Sequence, residues 1–170
     1  MRNNLQDVLK IDCQDGILLS SINVTQELSP ISDFSIYRSI ENNVVINKSN
    51  NSRLKSVKYK CFIETTDEPD ARLLQCGRVF KIHSILRLAE YIDDPNFKGN
   101  VETIRPPVFK SIFAYKNGRE VQYNTNGNII TLLKNADRIS YKPTFDMILK
   151  DFICKYNNNK SKWSFVFEEV

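Results

Sequence analysis

The residues best suited to chemistry stand together in QCGRVFKIHS, residues 75–84, which holds Cys76 and His83, the only histidine of the chain. A cysteine near a histidine can act as a nucleophile activated by its base. Such a pair needs a strand-turn-helix elbow or a glycine-rich loop to hold the oxyanion, and neither surrounds this stretch. Zinc is the second option, and it takes about four ligands at tight spacing. The cysteines, Cys13, Cys61, Cys76 and Cys154, are scattered and make no C-x-x-C, so reduced, partly buried thiols are expected. Pro69-Asp70 ahead of a strand has the opening of a metal-dependent nuclease site. That site also needs an acid and a lysine two positions apart on the strand, and LLQCGRVFK has no acid. Asp93-Asp94 and Glu168-Glu169 are adjacent pairs that a strand would send to opposite faces. No P-loop or dinucleotide fingerprint occurs. The expectation is a binding protein, with no catalytic residue, metal or cofactor.

Composition narrows the partners. A chain of 170 residues with 41% hydrophobic content is expected to fold as a single domain over 1–170. Its net charge of +4 comes from dispersed Lys and Arg, which permits nucleic-acid binding without indicating it. No apolar run approaches the roughly 20 residues that span a bilayer, and MRNNLQDVLK lacks the apolar core of a secretory signal. A cytoplasmic location without membrane insertion is therefore expected.

Periodicity supplies the elements that would position any site. Residues 1–11 suit a short amphipathic helix through Leu5, Val8 and Leu9. ILLSSINVTQEL alternates as a half-buried strand through Leu18, Ile22, Val24 and Leu28, ended by Ser29-Pro30. FSIYRSI (34–40) and VVI (44–46) are short strand candidates, followed by the polar NKSNNS. RLKSVKYKCFIE places Val57, Tyr59, Cys61 and Ile63 on one face. Folding it back about TTDEPD sets Ile63 opposite Leu74, Cys61 opposite Cys76 and Val57 opposite Phe80, a hairpin with matched apolar faces. Gly77 then lies on the other face, leaving room for something packed above the sheet, or it marks a bulge.

Beyond His83, helical spacing predominates. Ser84 can cap a helix in ILRLAEYIDD, with Ile85, Leu88 and Ile92 on one side. RPPVFKSIFAYKNG admits a strand entering a hairpin at Asn117-Gly118, or a helix with proline in its first turn and Gly118 past its end. The helix is preferred, because Val108, Phe109, Ile112, Phe113 and Lys116 follow an i, i+4 pattern. EVQYNTNGNIITLLKNADRISY is a weakly patterned connector with one short strand or helix. KPTFDMILKDFICKY is expected as a helix with a stripe of Phe145, Ile148, Leu149, Phe152 and Tyr156, and KWSFVFEEV as a closing strand. The predicted fold class is α+β: a curved antiparallel sheet of about four strands carrying two or three amphipathic helices.

This order of elements, with CGRVFKI in the hairpin, RPPVFKSIFAYKNG between proline and glycine, and Pro143, Phe145 and Asp146 opening the last helix, resembles the SecB family of cytosolic export chaperones. The resemblance covers roughly residues 16–156. It implies a holdase for an unfolded or partly folded client, either a preprotein or, in the branch associated with toxin–antitoxin systems, an unstable antitoxin. It also implies a homotetramer built as a dimer of dimers, with Phe109, Ile112 and Phe113 between protomers. Ile148, Leu149, Phe152 and Ile153 would line the client groove, with Gly77 allowing close approach. The chain departs from the family in its positive charge, in Ile104-Arg105-Pro106-Pro107 where Leu-Phe-Pro is expected, and in its extra residues 157–170. The alternative from another class is a phage- or mobile-element-encoded nucleic-acid-binding accessory protein, whose stacking groups would be the aromatics among lysines in SVKYK and SKW.

Overall fold

Apolar residues alternate with polar ones along most of this chain, and that period of two wins over the helical spacings. The computed structural model describes residues 7–31, 34–38, 41, 44–48, 57–94 and 96–170, and among these it contains no helix. The described strands are β1 Leu9–Cys13, β2 Gly16–Ser21, β3 Val24–Pro30, β4 Phe34–Arg38, β5 Val44–Lys48, β6 Tyr59–Thr65, β7 Val79–His83 and β8 Leu88–Tyr91. They continue with β9 Asn100–Glu102, β10 Phe113–Lys116, β11 Arg119–Val121, β12 Tyr123–Asn126, β13 Ile129–Leu132, β14 Arg138–Tyr141, β15 Thr144–Asn157 and β16 Lys160–Glu169. The described residues are thus all-β, and the α+β expectation, with two or three helices on the sheet, is corrected.

Seven strands form the largest sheet, in the order β2-β1-β7-β15-β16-β6-β3. Its outermost strands, β2 and β3, are separated in sequence only by Ile22 and Asn23. The sheet therefore curls, barrel-like, enough to bring the end of β2 beside the start of β3, with no β2–β3 ladder among the described strands. Hydrogen bonds across the seam agree: Ser21 and Thr65 hydroxyls lie 3.4 Å apart, and Thr65 donates to the Asn23 carbonyl at 2.9 Å. On β3, Gln26 reaches across to accept from the Ser84 hydroxyl and the Ile85 N–H just beyond β7, at 3.1 and 3.0 Å.

The concave side holds Leu9, Ile11, Leu18, Leu19, Cys61, Ile63, Phe80, Ile82, Phe145, Met147, Leu149, Phe165 and Phe167, all buried. Each such side chain contributes about 1.5–3 kcal/mol by leaving water if it is of Leu, Ile or Phe size. A second, smaller cluster (Ile112, Ala114, Ile130, Leu132, Ala136, Ile139 and Tyr141) is shared by the sheets β11-β10-β14-β8 and β12-β13-β9. A two-stranded sheet, β4-β5, completes the described topology.

Arg105, only 8% exposed, fastens the segment between β9 and β10 to the end of the chain. Its Nε and Nη2 donate to the two carboxylate oxygens of Glu169 at 2.6 and 2.9 Å, and Nη2 also donates to the Val57 carbonyl at 2.6 Å. Tyr59 and Phe145 flank the guanidinium, with ring centroids 5.2 and 5.1 Å away. Burial is the largest single influence and opposes the charge on Arg105, but the bond to Glu169, its negative charge and the nearby Tyr141 and Tyr59 together raise the pKa.

Several expectations are overturned here. The helix placed over residues 1–11 lies partly outside the described residues, but Leu9, Lys10 and Ile11 belong to β1. The strand expected over ILLSSINVTQEL is two strands, β2 and β3. The polar NKSNNS begins within β5, and its residues 49–52 lie outside the described residues. The helix at 85–94 is β8 and its flanks, and the preferred helix at 107–117 is β10. Asn117 and Gly118, at φ of 49° and 76°, make the tight hairpin turn of the strand alternative. The last helix is β15, the longest strand.

The hairpin joining Cys61 to Cys76 does not form either. β6 pairs with β16 and β3, whereas β7 pairs with β1 and β15. The β15–β16 hairpin comes between them, so Cys61 is buried while Cys76 is exposed in a turn. No helix of the described residues is long and apolar enough to cross a membrane.

Candidate nucleic-acid interface

In the β11-β10-β14-β8 sheet, Ala114, Ile139 and Tyr141 point into the second cluster. Alternation then sends Phe113, Tyr115, Arg138 and Ser140 to the outer face. Pairing registers align Tyr115 with Arg138 and Arg138 with Tyr91, giving one row across three strands. Phe113, Ser140 and Ala89 form the neighbouring row. Tyr91 is 74% exposed.

Two arginines lie over this face. The Arg138 guanidinium sits 4.5 Å from the Tyr115 ring centroid, and that of Arg87 sits 4.6 Å from Phe113. Arg87 is held in place by donating from Nε to the Ser140 hydroxyl at 3.0 Å and from Nη2 to the Ser140 carbonyl at 3.1 Å. It also donates to the Ser111 carbonyl. Desolvation lowers its pKa, opposed by Tyr115 and by the more distant Asp7 carboxylate, and the group stays cationic. Among the described residues, neither Arg87 nor Arg138 has a carboxylate within ion-pair distance.

Residues 85–142, which contain this sheet, carry nine Lys and Arg against six Asp and Glu, so three of the four net positive charges lie in this segment. Flat cations backed by rings, with an exposed tyrosine beside them, suit stacking on bases and contact with phosphate.

The polar cleft beside β1 and β7 is paired within itself. This cleft, of about 620 Å³, is lined by Asp12, Cys13, Asp15, Arg78, Lys81 and Asp146 among others. Its cations are bonded to its own carboxylates, Arg78 to Asp15 at 2.9 Å and Lys81 to Asp146 at 2.8 Å. His83 faces Asp12 at 3.3 Å, beside the Lys10–Asp12 pair at 2.6 Å. Burial opposes ionisation of Asp12, but Lys10 and His83 together hold its carboxyl below the usual range. Cys76 belongs to the turn before β7 and His83 to the end of that strand, so the cysteine–histidine stretch of the sequence does not assemble a nucleophile and its base.

The residues assigned to a client groove meet at one place but not as a helix face. Gly77 donates its N–H to the Leu149 carbonyl at 2.8 Å, where β7 leaves β15. Its φ of 88° is what lets the chain turn away there. Leu149 is fully buried, so it is core and cannot line a groove. Phe152 packs partly buried against the same core, Ile148 is half-buried, and Ile153 is 50% exposed.

The residues assigned to an oligomer interface are dispersed. Ile112 is buried in the second cluster, Phe113 lies under Arg87, and Phe109 is 86% exposed with the Lys110 ammonium 5.2 Å from its ring. The aromatics in SVKYK and SKW are taken by the barrel: Tyr59 lies against Arg105, and Trp163 stacks on Phe165 with centroids 6.2 Å apart. Tyr91, Tyr115, Arg87 and Arg138 were not singled out from the sequence. The signal was the alternation in FAYK before Asn117-Gly118, visible once that turn is read as a hairpin. No protein-family model matches this chain, and no curated protein is similar to it.

Proposed function

We propose that this protein binds single-stranded nucleic acid, without catalysing a reaction, on the outer face of the β11-β10-β14-β8 sheet. The row Tyr115–Arg138–Tyr91, whose arginine has no carboxylate partner among the described residues, carries the reading. Bases stack on Tyr91 and on the guanidinium planes, while arginine N–H groups not used within the protein meet phosphates. The mode tolerates any sequence, because every base offers a π-face.

Fluorescence anisotropy with labelled oligo-dT and oligo-U tests it. Binding should weaken steeply between ~50 and ~200 mM salt. Tyr91→Ala should cost about 1–3 kcal/mol of binding while leaving the melting temperature nearly unchanged. No binding at low salt, or binding indifferent to both Tyr91→Ala and Arg138→Ala, would sink the proposal. Holdase activity toward an unfolded client is the second reading, favoured by the exposed Ile153 and Phe109. It predicts suppression of client aggregation that hardly changes with salt.

A further inference from the structure

β15 outlasts its neighbour. Its register with β7 ends at Ile148↔Val79, whereas its register with β16 continues to Asn157↔Lys160. Among the described residues, no strand pairs with 150–157 on the side away from β16. The hairpin closes through Asn158 and Asn159, at φ of 49° and 61°, a two-residue turn whose flanking pair is hydrogen-bonded. Counting back from Asn157 in alternation, the main-chain groups of Tyr156, Cys154 and Phe152 face the free side. An independent contact agrees: the Phe152 N–H donates to its neighbour's side chain, Asp151 Oδ1, at 2.8 Å. In the single chain Asp151 thus covers the first donor of an otherwise open edge, and pairing with another strand requires its carboxylate to release that N–H.

We infer that this edge pairs with the same edge of a second copy of the chain, antiparallel and centred on Cys154. In that register Cys154 faces its own counterpart, and Phe152 faces Tyr156 of the second copy on both sides of it. All three residues of each edge whose main-chain groups face the free side are used. On the other face, Ile153 meets the stem of Lys155 from the second copy, and Asp151 lies diagonally beside that same lysine. The acid and the base are both exposed, and the two-fold axis makes the match twice. Complementary charge at diagonal cross-strand positions selects this pairing over a random extended peptide. The second copy's hairpin tip comes down next to Gly77, where a Cβ would meet nothing within 4 Å. This edge is distinct from the aromatic sheet face, so neither reading depends on the other.

Sedimentation equilibrium on the full chain tests the pairing. The unaltered protein should dimerise with a Kd in the micromolar to millimolar range, as a small contact allows. Asp151→Lys and Lys155→Asp should each weaken dimerisation about tenfold or more by placing like charges together. Mixing the two variants should recover a heterodimer, and so should the double variant with itself. In a Cys76→Ser background, a short bismaleimide should join Cys154 to Cys154. Because both altered side chains are exposed, unchanged melting curves identify an effect on pairing rather than folding. A monomer at about 1 mM, or variants that dimerise as the parent does, would overturn the proposal. So would a monomer that captures an extended peptide on this edge, which would assign it to a client strand instead.

Discussion

Arginine lies over aromatic rings in two regions of this protein, with opposite consequences. Arg105 is buried between Tyr59 and Phe145 and bonded twice to Glu169. Arg138 and Arg87 lie over Tyr115 and Phe113 on an outer sheet face, with no carboxylate within ion-pair distance among the described residues. Stacking geometry alone therefore does not mark a binding site. What distinguishes the regions is where the positive charge ends: in the first it is neutralised inside the fold, and in the second no carboxylate lies within ion-pair distance among the described residues. The first arginine should matter for stability and the second for binding.

The largest expected effect breaks the buried pair. Arg105→Met leaves Glu169 without its cation and should cost about 3–5 kcal/mol. At about 2–4 °C per kcal/mol for a chain of this size, the melting temperature should fall by on the order of 10 °C. Adding Glu169→Gln should restore much of the loss, since no buried charge is then stranded. If Arg138→Ala lowers the melting temperature as far as Arg105→Met does, the contrast between the regions fails.

The next effect concerns the hairpin that presents Tyr115. Gly118 sits at φ 76°, where a β-branched side chain is strained. Gly118→Val should cost about 1–2 kcal/mol, read as a lower urea midpoint, whereas Asn117→Gly should be nearly neutral. Equal tolerance of both would mean that the turn does not hold the binding row.

Much of the barrel wall was legible, because β6 and β16 alternate without interruption. Tyr59, Cys61 and Ile63 share a face as their spacing requires, and FVF in β16 buries both phenylalanines. β15 was misread for a physical reason. Lys150 is an extra residue in its ladder with β16, between Leu149↔Phe167 and Asp151↔Val166. That bulge shifts the inward phase by one, so Phe145, Leu149, Phe152 and Tyr156 follow at steps of four, three and four, the spacing of a helix face.

β8 misled differently. Glu90 points inward, where its carboxylate accepts from Tyr141. A polar residue at that position leaves Leu88 and Ile92 four apart and hides the period of two. The insertion of β15–β16 between β6 and β7 is a long-range pairing, which no local pattern encodes. The aromatic face was missed for the same reason, since its row joins residues 91, 115 and 138.

Smaller effects sharpen the contrast between closed and open surfaces. Cys61 is fully buried, and burial pushes its thiol up to about 12, against a weaker opposing bond from Gln26. Native protein should alkylate quickly at Cys76 and Cys154, and at Cys61 only on unfolding. A folded-state value above the unfolded one means that this group's contribution is intact below pH 9.0 and lost as the pH rises toward about 12. Rapid native labelling of Cys61 would contradict its burial in the core of the large sheet. The smallest effect belongs to Asp12, whose folded pKa is depressed. Its contribution should be present above the ordinary carboxylate range and fade as pH falls through the folded value. Asp12→Asn should flatten that acid limb in a pH series of urea melts.

The binding face itself is tested most directly by photo-cross-linking to an oligonucleotide carrying 4-thiouracil or 4-thiothymine, followed by mass spectrometry of the adducts. The account predicts adducts on Tyr91 and within Phe113–Lys116, lost when salt is raised and reduced by Arg138→Ala. Adducts confined to Trp163 or Tyr156 on the hairpin arm, or spread evenly over surface lysines, would contradict it.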